Sequence, residues 1–135
     1  MTFVDTNILI DIASNNSRWG DWSRRALAAA HERGPLVINV VVYAGFAINF
    51  ATAAECDAEL ESFQLTIADI PKAAAFGAAQ AFKEYRLAGG ARTNVLPDFF
   101  IGAHALSLGA PLLTRDCRRY RTYFPKLTLL APDAS

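Results

Sequence analysis

The chain has 135 residues, 53% hydrophobic and 19% charged, which suits one folded domain and excludes a disordered or low-complexity protein. A net charge of zero excludes a non-specific nucleic-acid coat. The two cysteines, Cys56 and Cys117, form no CxxC, which excludes a disulfide scaffold or zinc site and fits a reducing cytoplasm; no leader pattern and no apolar run of ~18 residues points to secretion or a membrane.

In chain order, residues 2–5 predict a short strand, and Asp5 or Thr6 can cap a short helix that runs to Ala13. Residues 14–17 are a loop. A helix over 18–33 stops at Gly34-Pro35. Residues 36–40 predict a second strand, apolar on both faces as in a parallel sheet. Helices follow at 41–53 and 54–63, and a third strand at 64–68. An alanine-rich helix covers 70–88, and the loop 89–96 leads to a helix at 97–108. A fourth strand at 112–114, a short helix at 117–122 and a fifth strand at 127–129 complete the chain. Strands alternating with helices predict one α/β domain, 1–135, with a mostly parallel sheet. Ligands of such sheets bind beyond the carboxyl ends of the strands, where strand order reverses.

Charge is unevenly spread. Residues 1–84 hold six Lys or Arg against ten acids; residues 85–126 hold seven Lys or Arg against Asp98 and Asp116. A local basic patch beside acids permits a specific RNA or DNA substrate. Asp5, Asp98 and Asp116 each lie where an apolar stretch meets a loop or helix start. Individually, each reads as a helix cap or a first-turn acid. Together, acids at strand ends could share one rim and hold Mg²⁺ or Mn²⁺, hard cations that take oxygen ligands and keep several waters. Clustered carboxylates repel; a divalent cation reverses that penalty, and cleavage of a phosphodiester is the chemistry natural to such a site.

The strings F-V-D-T-N at residues 3–7, L-P-D-F-F-I-G-A-H-A at 96–105, L-L-T-R-D at 112–116 and Y-F-P at 123–125 resemble a PIN-domain ribonuclease. Within that family the chain is most similar to the VapC-type toxins of bacterial toxin–antitoxin pairs, over about residues 2–130. The resemblance implies a three-layer α/β/α domain with a five-stranded parallel sheet and Mg²⁺- or Mn²⁺-dependent endoribonuclease activity on structured RNA of the tRNA or rRNA class. It also implies a homodimer and a cognate VapB-type antitoxin. Asp5, Asp98 and Asp116 match the family's acidic, metal-binding positions; Asn7 matches the polar residue of its first motif, and Thr114 the hydroxyl two before the last acid.

One position departs from the family. Such proteins usually carry a glutamate after the second strand, in a pattern like V-Y-A-E-L, where this chain reads Val42-Tyr43-Ala44-Gly45-Phe46. Gly45 reads either as a close-packing glycine or as the loss of a catalytic acid, natural or introduced. Loss of that acid predicts weak metal binding and little turnover.

The string Arg115-Asp116-Cys117-Arg118-Arg119-Tyr120-Arg121 is either a solvated helix face or a phosphate-binding patch, in which Arg115, Arg118 and Arg119 contact the substrate. His31 and His104 are assigned structural roles, and Glu55, Asp57, Glu59 and Glu61 a solvated face. Trp19, Trp22, Phe46, Phe50 and Phe63 exceed the needs of a small core and are candidates for self-association or a groove for a partner helix. The alternative from another class is a PIN-like module that has lost catalysis and only sequesters an antitoxin or RNA. A phosphoacceptor receiver domain fits worse, because Asp5 has no adjacent acid and Lys126 precedes the last predicted strand.

Overall fold

Thr2, Phe3 and Val4 are all buried, so the first strand has both faces covered, as a central parallel strand requires. A computed structural model describes residues 1–92 and 94–132 of the chain. Its elements are β1 (Thr2–Val4), α1 (Thr6–Ala13), α2 (Gly20–Arg33), β2 (Leu36–Ile38), α3 (Val40–Ala47), α4 (Ala53–Glu61), β3 (Leu65–Ile67), α5 (Lys72–Leu87), α6 (Leu96–Ser107), β4 (Leu112–Leu113), α7 (Arg118–Tyr123) and β5 (Leu129–Leu130). The five strands form one sheet in the order β3-β2-β1-β4-β5, and every pair is parallel. The expected α/β domain is the observed one, and the sheet is parallel throughout. Strand order reverses between β1 and β4, so the crevice beyond their carboxyl ends is where this topology places a ligand.

The boundaries differ from expectation where side chains compete with the helix for backbone groups. The helix expected from residue 18 starts at Gly20, because Asn16 Oδ1 accepts from the amides of Arg18 and Trp19 and holds a turn there. The helix expected over 41–53 ends at Ala47, and Thr52 caps α4 through Glu55 N at 3.2 Å. The strand expected at 127–129 lies at Leu129–Leu130. Leu127 N bonds Phe124 O in a turn, and the ladder instead runs from Leu112 N to Thr128 O and from Thr114 N to Leu130 O.

The core gathers Phe3, Ile38, Leu112 and Leu113 of the sheet against Ile8, Leu9, Ala30, Phe46, Ala78, Phe99 and Ile101 of the helices. Phe99 on α6 meets the rings of Phe82, Tyr85, Tyr123 and Phe124, so one aromatic cluster joins α5, α6 and α7. At Gly102 a Cβ would lie 2.7 Å from the Phe124 ring, so the bare backbone of α6 is what lets that ring in.

Candidate active site at the β1–β4 crevice

Asp5 is the first residue past β1 and caps α1, its Oδ1 accepting from Thr6 N at 2.8 Å. Its Oδ2 accepts from the Thr114 hydroxyl at 2.8 Å and the Tyr120 hydroxyl at 3.0 Å, both across the crevice. Asn7 Nδ2 reaches Asp5 Oδ2 at 3.4 Å and Thr114 Oγ1 at 3.3 Å, while Asn7 Oδ1 accepts from Arg115 N at 3.4 Å. With its hydrogen given to Asp5, the Thr114 hydroxyl accepts from Asp116 N at 3.1 Å. Asn7 and Thr114 thus stitch the end of β1 to the loop after β4.

Asp98 sits in the first turn of α6, with Pro97 at its start, where a missing N–H is harmless. Arg119 of α7 is in an ion pair with its Oδ2. Asp116 is exposed on the β4–α7 loop. Asp5, Asp98 and Asp116 all line one hollow of about 560 Å³, together with Asn7, Gly45 and Tyr120. Ile10, Val40, Val41 and Ile48 form its apolar side.

Electrostatics mark the hollow as short of positive charge. Burial, then the charge of Asp98, pushes Asp5 from 3.8 up to about 6, against the pull of its hydrogen bonds from Thr114, Tyr120 and Thr6. Burial also raises Asp98, and Asp116 adds to this, while Arg119 and Arg92 draw it back. The Tyr120 hydroxyl is held well above the usual tyrosine value by burial and by the three aspartates, so it is a proton donor to Asp5 at neutral pH.

The donors are carboxylate oxygens, the ligands Mg²⁺ or Mn²⁺ prefer, and two carboxylates are enough for an ion that keeps its waters. The raised value of Asp5 shows how a cation would relieve the site. The donor set fits such an ion in chemistry. Among the described residues, however, no group of three or more His, Cys, Asp or Glu side chains is gathered tightly enough to hold a metal as it stands. Arg119 is paired with the Asp98 carboxylate that would have to serve as a ligand.

Gly45 lines the hollow from α3. A Cβ there would lie 3.0 Å from Thr6 Cγ2 and 3.3 Å from Thr6 Oγ1. The close neighbours are the two branches of one half-buried threonine, which must give by a few tenths of an ångström, and the backbone at 45 is ordinary helix. A side chain can therefore be built at 45 with a small adjustment of Thr6.

The three arginines singled out in the sequence part ways. Arg115 Nε pairs with Asp11 Oδ2 at 2.7 Å, and its guanidinium lies 5.9 Å from the Trp19 ring, so it braces α1 against the β4–α7 loop. Arg119 is committed to Asp98. Arg118 is exposed on the wall of a second cleft that shares Asp116 with the acidic hollow. Cys117, beside Asp116, is buried.

Three residues escaped the reading from sequence. Tyr120 lies one helical turn after Asp116, and that spacing was its only signal. Asp11 is 1% exposed and accepts from Ser23 Oγ at 2.9 Å as well as from Arg115; nothing local announces this. Arg92 joins the second cleft through the loop before α6. Of the residues set aside, His104 is fully buried, and Asn39 Nδ2 donates to its Nδ1 at 3.1 Å while Asn39 Oδ1 caps α3. That leaves His104 neutral, with its proton on Nε2, and burial lowers its pKa. His31 is exposed, and of the acids expected on a solvated face of α4, Glu55, Asp57 and Glu61 are exposed while Glu59 is half-buried. Phe46, Phe50 and Phe63 pack together at the core, and Trp19 meets Trp22 edge-on.

Solved structures share this architecture. VapBC2 from Rickettsia felis, bound to a DNA fragment from their promoter, aligns at a TM-score of 0.74 with 20% identity, over 98% of this chain and 98% of that one. VapBC-1 from nontypeable Haemophilus influenzae aligns at 0.72 with 19% identity, over 96% of each chain. DNA-bound VapBC from Salmonella typhimurium aligns at 0.67 with 18% identity, over 97% and 98%. At these identities the likeness is one of fold. No curated protein matches the sequence. The PIN domain family model matches residues 2–125, nearly the whole chain, and the chain belongs to that family.

Proposed function

We propose that the chain is a divalent-metal-dependent endoribonuclease of the VapC toxin type, acting on structured RNA of the tRNA or rRNA class in the cytoplasm. The observation that carries the reading is the single hollow lined by Asp5, Asp98 and Asp116 at the strand-order reversal. Asp5 and Asp98 would hold Mg²⁺ or Mn²⁺, and Asp116 would complete the acidic cluster directly or through water. When bound, such an ion lowers the pKa of a water and neutralises charge developing on the phosphate. The chain's own residues orient that chemistry. Thr114 and Tyr120 fix one Asp5 oxygen, and Asn7 ties the two strand ends together.

The family membership and the fold shared with VapBC proteins support a VapB-type antitoxin as partner. Exposed Val40 and Ile48, on the α3 face beside the hollow, support homodimerisation or antitoxin docking. A small adjacent gene for a DNA-binding antitoxin is the expected genomic setting.

Gly45 limits this particular chain. The glutamate usual in the family would add an acid to the hollow; without it, metal is held weakly and turnover is low. Gly45→Glu should raise Mg²⁺-dependent cleavage of a structured RNA by about a hundredfold, the scale of one acid–base group, and Gly45→Gln should not. Full cleavage with Gly45 in place would overturn the claim of impairment. No cleavage by Gly45→Glu, with fold and metal binding intact, would favour the alternative, a module that sequesters antitoxin or RNA without cutting.

A further inference from the structure

We propose that the cleft on the other side of Asp116 is a phosphodiester-binding site that anchors the RNA backbone beside the bond to be cut. The proposal rests on the ribonuclease reading above. The cleft measures about 590 Å³ and is walled by Tyr85, Arg92, Arg118, Arg119 and Tyr123, with Asp116 on the rim it shares with the acidic hollow. Its arginines differ in what they are free to do. Arg115 is spent on Asp11 and Arg119 on Asp98. Arg92 and Arg118 are exposed, and neither is in an ion pair among the described residues.

Arg92 and Arg118 share the cleft with a single lining acid among the described residues, Asp116, so an excess of positive charge remains there that a bound polyanion offsets. The site is also braced. The Arg92 amide donates to the Tyr85 hydroxyl at 3.2 Å, so that hydroxyl keeps its own hydrogen for another acceptor. The Tyr85 ring is held by Phe82, Phe99 and Tyr123 at centroid distances of 5.8, 5.6 and 5.8 Å. Two guanidinium forks and the Tyr85 hydroxyl match the unesterified oxygens of a phosphodiester. A polynucleotide carries one negative charge per residue. A strand lying across Asp116 therefore places one phosphate at the acidic hollow and a neighbouring one between Arg92 and Arg118.

The test is binding of a short labelled single-stranded RNA in EDTA, which separates binding from cleavage, followed by fluorescence anisotropy from about 50 to 200 mM salt. Arg92→Ala and Arg118→Ala should each weaken binding and reduce the log–log salt slope by about 0.7, the pair by about 1.4. The lysine variants should restore the slope, and Arg25→Ala, on exposed α2, should leave it unchanged. A wild-type slope that survives in the double variant overturns the cleft and leaves the ribonuclease reading standing. Absence of RNA binding by the wild type overturns both. Loss of binding in the variants, with no cleavage by the Gly45→Glu protein, supports the cleft and removes the nuclease. Capture of a polyglutamate peptide in place of RNA, lost in the same variants, reassigns the cleft to an acidic protein and overturns the proposal.

Discussion

Asp5 concentrates the electrostatic strain of the molecule in one side chain. Its carboxyl titrates near 6 in the fold against 3.8 for an ordinary aspartate. The folded protein therefore binds an extra proton between those values, and stability falls as pH rises from about 4 to 6, by about 3 kcal/mol in the limit. His104 acts in the opposite direction: its lowered value favours the fold above about 6.5, and that contribution is lost as pH falls below 6.5 toward its lower folded value. Asp5→Asn should raise the urea-unfolding free energy of the metal-free protein at pH 7 by about 1–3 kcal/mol. Metal binds the ionised carboxylate, so Mn²⁺ should raise Tm at pH 7.5 and lose that effect as pH falls through 6. A gain in Tm independent of pH, or retained in Asp5→Asn, would remove Asp5 from the metal site. Arg119 is the competing cation. A half-exposed pair is worth about 1 kcal/mol, so Arg119→Gln should tighten Mn²⁺ binding about fivefold by calorimetry. Weaker binding would instead make Arg119 the residue that orients Asp98 for the ion.

At the scale of elements, the site depends on how closely α7 approaches α6. Asp98 begins α6, Gly102 lies one turn later, and Phe124 follows α7 into the space that Gly102 leaves. Arg119 and Tyr120, on the same short α7, meet Asp98 and Asp5. Gly102→Ala should force Phe124 aside, destabilise the fold by about 1–3 kcal/mol in urea, and weaken Mn²⁺ binding as well. Gly45→Ala is the contrasting case: its neighbour Thr6 need give only a few tenths of an ångström, and helix propensity favours alanine by up to about 1 kcal/mol. If both alanine variants behaved alike, close packing of α7 on α6 would not be what holds the site. The Asn39–His104 bond similarly ties the start of α3, which carries Gly45, to α6, which carries Asp98.

At the scale of the whole molecule, the topology brings distant segments to one edge and a few polar contacts lock them there. The buried Asp11 on α1 holds Arg115 beside Asp116, 104 positions away. The pair is asymmetric, with Asp11 1% exposed and Arg115 30%. Arg115→Ala strands a buried carboxylate and should cost about 3–5 kcal/mol, whereas Asp11→Asn leaves a guanidinium that can still reach water and should cost less. Equal losses in urea unfolding would contradict this view of the brace. Much of the arrangement was legible beforehand. The order of elements, the parallel sheet and the edge occupied by Asp5 and Asp116 follow from apolar runs, Gly-Pro stops and caps, which are signals within a few residues. The strand boundary at 127–129 and the helix start at 18 were not, because side chains of Asn16 and a turn at Leu127 redirected the backbone.

The amino-acid string alone determined the family, the α/β alternation and the three acidic positions, since each is written in local patterning and short motifs. Only the tertiary structure decided that Arg115 and Arg119 are already paired, that Tyr120 serves Asp5, that Gly45 rests against Thr6 and that Arg92 shares a cleft with Arg118. Those facts depend on bonds between residues tens of positions apart, and no periodicity along a chain encodes which distant side chain will fill a given space.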